Sequence, residues 1–147
     1  ELTTSGPASG SLSISGVSVG STSITASYSG KSATTVASVA TIGASMPDNY
    51  AEVGYQNPIY WSLDGIDSNL NIYYAFRPVE TTGALVWFNN DTCMGDLNGI
   101  ELVSEMASWN PVGCDTSSEY DYFIKIESAD HPQIFGISNA IYVGVPN

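Results

Sequence analysis

Basic residues are nearly absent. Among 147 residues there are three Lys and Arg against 15 Asp and Glu, for a formal net charge of −12. A surface that tracks nucleic-acid phosphates needs clustered cations, so this composition excludes nucleic acid as a partner, and an anionic membrane surface with it. Histidine occurs once, at His131, and cysteine only at Cys93 and Cys114. No apolar run reaches the roughly 18 residues of a membrane span, which excludes insertion by an apolar helix. The opening residues Glu1-Leu2-Thr3-Thr4 lack the basic and apolar stretches of a secretory leader. What is present is 43% hydrophobic and 11% aromatic residues, far more than an acidic disordered chain carries. The chain therefore reads as folded, soluble and acidic, the size of one domain or of a domain plus part of a second.

Composition changes abruptly near residue 45. Residues 1–45 hold 20 Ser or Thr, one aromatic (Tyr28) and one acid (Glu1); residues 46–147 hold 15 of the 16 aromatics and 14 of the 15 acids. This predicts a Ser/Thr-rich segment over 1–45 and an aromatic-rich segment over 46–147. The joint is expected at Ala44-Ser45-Met46-Pro47-Asp48-Asn49, because Pro47 forces the residue before it to be extended and Asp-Asn favours a turn.

Both segments have the two-residue period of β-strands. Ile24, Ala26 and Tyr28 alternate with Thr25 and Ser27, and Ser29-Gly30 turns the chain before β-formers resume from Lys31 to Ile42. A short Val17-Ser18-Val19 strand is expected between Gly16 and Gly20. Further on, Ile59, Trp61 and Leu63 share a face up to Asp64-Gly65, and Ile72, Tyr74 and Phe76 share one up to Pro78. Ala84 to Phe88 is a continuous apolar run, fit for a strand buried on both sides. Tyr120, Tyr122, Ile124 and Ile126 alternate with Asp121, Lys125 and Glu127. Ile141, Val143 and Val145 form a last strand. One short helix is expected over Gly99 to Ser108, where Leu102, Val103 and Met106 share spacing. Many short strands with Gly, Asp, Asn and Pro turns predict an all-β, antiparallel sandwich.

The run from Leu12 to Ile42 resembles the second half of a bacterial Ig-like repeat of the group-2, invasin/intimin-associated type. The matching slots are Gly20 to Ala26, Gly30-Lys31-Ser32-Ala33 and Val36 to Ile42. The resemblance implies an Ig-like fold whose first half should precede these strands, yet only Glu1 to Ser11 do. Three readings stay open: the chain is an excerpt of a longer protein, the Ser/Thr-rich strands complete a sheet with residues 46–147, or they complete one with a neighbouring molecule. Residues 50–147 resemble an Ig-like sandwich of the fungal Kre9/Knh1 wall-protein type, through Ile59 to Ser62, Tyr122 to Ser128 and Gly136 to Val143.

Few groups offer chemistry. Cys93 and Cys114 are expected to form a disulfide, the alternative being two buried free thiols. Asn90-Asp91-Thr92 is a glycosylation sequon at Asn90. His131, in Asp130-His131-Pro132, reads as a turn residue rather than a general base. Asp64, Asp67, Glu119 and Asp121 are the carboxylates that glycoside hydrolysis would need in pairs, but they fall in turns or at strand ends. No metal or other cofactor is expected; the acidic loops Asp64 to Asn69 and Asp91 to Glu101 offer oxygen ligands for a structural calcium ion without matching an EF-hand. Trp61 and Trp87 are expected in the core. Trp109, inside the loop between the cysteines, is expected to be exposed as a ligand platform or packing anchor.

The functional expectation is a non-catalytic extracellular structural module. It would be a subunit or repeat of a cell-surface protein or filament, assembled by strand pairing with copies of itself or with adjacent Ig-like modules. The alternative is a carbohydrate-binding module using Trp109 and tyrosines to hold glycans.

Overall fold

The computed structural model describes residues 15, 16, 18–104 and 106–146, all of whose regular structure is β-strand apart from one three-residue 3-10 turn. Two compact units divide after Ala40.

The first unit is a ribbon of two antiparallel strands, β1 (Gly20–Tyr28) and β2 (Lys31–Val39), paired from Gly20 opposite Val39 to Tyr28 opposite Lys31. Ser29 and Gly30 have φ of 48° and 76°. Positive φ at both loop positions gives the two-residue turn whose twist matches the strands it joins. The Thr25 and Thr34 hydroxyls hydrogen-bond across the ladder at 2.9 Å. The predicted alternation of Ile24, Ala26 and Tyr28 lies in β1, but its apolar side covers no core. Ile24 is half-buried, whereas Tyr28 is 53% and Val36 64% exposed. Val17 and the matched residues Leu12 to Ile14 lie outside the described residues.

The division falls five residues before the expected one at residue 45. Thr41–Ser45 form β3 and pair with β5 (Asn57–Asp64), which assigns them to the second unit. Pro47 acts as expected: Met46 is extended (φ −125°, ψ 145°). Asp48 and Asn49 then turn through left-handed φ of 55° and 50°. The turn leads into β4 (Tyr50–Glu52).

The second unit contains two antiparallel three-stranded sheets. In one, β5 lies between β3 and β7 (Met106–Trp109). In the other, β8 (Tyr120–Ser128) lies between β6 (Leu70–Pro78) and β9 (Phe135–Ile137). A parallel pair joins β4 to β10 (Tyr142–Gly144). Leu70, Ile72 and Tyr74 of β6 and Tyr122, Ile124 and Ile126 of β8 face Ile42, Ile59, Ala107 and Trp109 of the first sheet in one buried cluster. This is the arrangement of a β-sandwich, as the strand pattern predicts. Each buried Ile contributes about 1.5–3 kcal/mol.

Three local expectations fail. Ala84 to Phe88 is not a two-sided buried strand; it makes one bridge, Phe88 to Tyr74, at the edge of β6, and Val86 is 63% exposed. The helix over Gly99 to Ser108 is absent among the described residues, because Met106 to Trp109 pair with β5 as β7 and tertiary pairing outweighs local spacing. The last strand stops at Gly144, leaving Val145 60% exposed, while Ile141 bridges Tyr122.

Candidate functional site

The disulfide is present: Cys93 and Cys114 are bonded, with Cα atoms 4.6 Å apart. It closes the segment that contains β7. Gly113 lies against Thr92, and a Cβ there would fall 2.6 Å from the Thr92 Cβ, so only glycine lets the two ends of the loop meet.

Trp109 corrects the sequence expectation. It is fully buried, not exposed, and cannot be a ligand platform. As the last residue of β7, opposite Asn57, it points into the core. Its indole N–H donates to the Cys93 carbonyl at 2.6 Å, and its ring lies 6.3 Å from Tyr122. Position inside the cysteine loop suggested exposure; the strand pairing overrides it. Trp61 is half-buried and packs against the core cluster, whereas Trp87 is half-buried. Trp61 lines a shallow surface cleft with Tyr60, Leu63, Leu102 and Met106.

Asn90 is exposed and sits in a left-handed turn, φ 54°. The turn is fixed by its neighbour. The Asp91 carboxylate accepts the backbone N–H of Cys93 and Met94, each at 3.0 Å, and the Tyr74 hydroxyl at 2.7 Å. Burial first, then that bond and the Asp91 charge, push the Tyr74 phenol far above its ordinary value. Asp96 similarly accepts from the backbone and side chain of Asn98. The carboxylates of this loop thus serve as turn acceptors. No group of three or more His, Cys, Asp or Glu able to hold a metal ion occurs among the described residues. His131 is an exposed residue of the β8–β9 connection, its N–H donating to the Ser128 hydroxyl.

The candidate carboxylates fall into two groups, Asp64 with Asp67 and Glu119 with Asp121. Asp64 and Asp67 flank the β5–β6 turn, whereas Asp121 pairs opposite Arg77 at the far end of β6. From Leu70 at one end of β6 to Arg77 at the other the strand rises about 23 Å, which keeps the two groups apart.

An unpredicted cluster lies on the outer face of the β6–β8–β9 sheet. Register places Tyr73 opposite Lys125, Arg77 opposite Asp121, and Phe135 opposite Glu127. The Lys125 ammonium lies 4.4 Å from the Tyr73 ring centre, 5.4 Å from Trp87 and 5.8 Å from Phe135. It also pairs with Glu127 at 2.7 Å, the sole ion pair among the described residues. The Arg77 guanidinium covers Phe123 at 4.8 Å. Two of the three cations in the chain are thus on one face, each against aromatic rings. The Tyr73 phenol is raised by burial and by the neighbouring Glu127. The alternation of β8 marks Lys125 and Glu127 as outward-facing, but nothing in the sequence alone reveals the register that surrounds Lys125 with rings.

No family model matches the chain. No curated protein matches it significantly.

Proposed function

We propose that the chain is a non-catalytic extracellular structural module, an Ig-like repeat or subunit that assembles with copies of itself or adjacent Ig-like modules through β-strand pairing. The observation that carries this reading is the β1–β2 ribbon. Its two nine-residue strands pair with each other and, among the described residues, with no third strand, and nearly every residue is exposed. An isolated two-stranded ribbon is marginal in water, and burying or extending it requires a partner. Edge strands that must stay unpaired are ordinarily guarded by lysine, proline or bulges. Here the ribbon carries one cation, Lys31 at its tip, and no proline or acid.

A disulfide supports an oxidising, extracellular location. The resemblance of residues 12–42 to an Ig-like repeat agrees with a modular part in a longer assembly.

Molar mass in solution, read with negative-stain images of native material, tests the reading. Oligomer ladders or fibres are expected, and Val36→Lys, which places a charge on the exposed ribbon, should shift the distribution towards monomer. A monomer at all concentrations overturns it.

A further inference from the structure

We propose that Tyr50 and Tyr142 form a covalent cross-linking site, at which a haem peroxidase using hydrogen peroxide couples the two phenols into one dityrosine. The inference does not rest on assembly through the ribbon, because both residues belong to the second unit.

The pairing of β4 with β10 brings the rings together. The two strands run parallel, and Tyr142 lies directly opposite Tyr50. Neighbouring strands are about 4.8 Å apart, so side chains opposed in this way leave the sheet close together. The rings stack, with centres 5.8 Å apart and planes 22° from parallel. Gly144 lets them lean together. It lies two residues beyond Tyr142, on the same side of the strand. A Cβ there would meet Tyr142 Cε1 at 2.9 Å and Tyr50 Cε2 at 3.1 Å. Those carbons are the positions ortho to the hydroxyls, where phenoxyl radicals couple. The bare glycine gathers both reacting carbons over one point of the backbone. Exposure makes this the pair that an outside oxidant reaches: Tyr50 is 38% and Tyr142 44% exposed. Tyr74 and Tyr122 also stack, 6.4 Å apart, but both are buried, and their hydroxyls donate to the Asp91 carboxylate and the Asp115 carbonyl.

The chemistry balances. The oxidised peroxidase takes one electron and one proton from each phenol, and the peroxide is reduced to water. The two phenoxyl radicals join in a carbon–carbon bond between Tyr142 Cε1 and Tyr50 Cε2. Each joined carbon then gives up its hydrogen as a proton and each oxygen regains one. The chain ends two hydrogen atoms lighter, with both hydroxyls restored. Holding the partners side by side makes the coupling unimolecular, which favours it over coupling between chains. The bond would act where pairing is weakest. β4 and β10 pair over three residues and with no third strand among the described residues. So short a two-stranded pair has little stability of its own.

The test treats the disulfide-bonded full chain with a haem peroxidase and hydrogen peroxide, with N-acetyltyrosine in a parallel reaction to confirm turnover. Monomer separated on a denaturing gel should carry dityrosine fluorescence and an intact mass lower by two hydrogens. Peptide mass spectrometry should join Tyr50 to Tyr142. Tyr50→Phe and Tyr142→Phe keep the ring and remove the phenol, and each should cut intrachain dityrosine by about tenfold or more. Tyr55→Phe and Tyr60→Phe, at exposed tyrosines outside the pair, should leave the yield unchanged. Circular dichroism checks the fold of each variant. The coupled chain should unfold at a higher urea concentration than equally treated Tyr50→Phe, and equal midpoints would overturn the bond's role as a staple. Turnover of N-acetyltyrosine without intrachain dityrosine overturns the proposal. So does coupling that joins other tyrosines, or an undiminished yield in Tyr50→Phe or Tyr142→Phe.

Discussion

The Asp91 carboxylate links a turn to the core by accepting from two backbone amides and from the Tyr74 hydroxyl. A hydrogen bond to a charged group contributes about 1.5–3 kcal/mol, so Tyr74→Phe should lose about that much stability at pH 7 in urea unfolding. The sign of its pH dependence follows from the phenol. The folded value lies above the ordinary value of 10.0, so the contribution is complete below pH 10 and is lost as the pH rises further. The deficit of Tyr74→Phe against the parent should therefore shrink above pH 10; a deficit that grows there contradicts this account. Asn57 is a second such centre. Its amide donates to the carbonyls of Glu52, Tyr55 and Trp109 and accepts from the Glu52 N–H. Asn57→Leu leaves these buried groups unpaired, and chemical denaturation should show a loss of at least about 2 kcal/mol. Neither role was legible beforehand. Asp91 could be read as the middle of a sequon and Asn57 as a residue before proline, because the partners that tie each turn to the core, Tyr74 and Trp109, lie 17 and 52 residues away.

Among the elements, β8 was the most legible and the segment around β7 the least. Tyr122, Ile124 and Ile126 declare their buried face by alternation, since a period of two has one structural meaning. Met106 to Trp109 carry too few residues to distinguish a strand from a helical turn, and only pairing with β5 decides. That error also misplaced Trp109, and with it the candidate platform. The disulfide closes the loop that carries this short strand. Closing a loop of about 22 residues contributes roughly 3 kcal/mol in the chain-entropy model. The Cys93→Ala/Cys114→Ala variant should lose about that much in urea unfolding and expose Trp109 to a fluorescence quencher before global unfolding; a shielded Trp109 throughout would show that the sandwich holds β7 unaided. The ribbon was legible in its strands and its turn, because Ser29-Gly30 sits between two alternating runs. What covers it was not, because an apolar period says that a face exists and not what meets it.

For the whole molecule, charge and assembly oppose one another. A net charge of −12 repels like copies. That repulsion is screened beyond about 8 Å at 0.15 M salt. Assembly by backbone pairing should therefore increase with added salt, as light scattering would record; dissociation on adding salt would mean that ion pairs hold the copies together. The sharp change in composition marked the existence of two units and placed their boundary late, because Thr41 to Ser45 look like the ribbon in composition yet pair with the sandwich.

The central claim is that the β1–β2 ribbon finishes its hydrogen-bond ladder with another molecule. Amide hydrogen exchange of residues 20–39, measured at low and high protein concentration, tests this most directly. The account predicts exchange that slows as concentration rises, in step with molar mass. Rapid exchange at every concentration, from a molecule that stays monomeric, would contradict it.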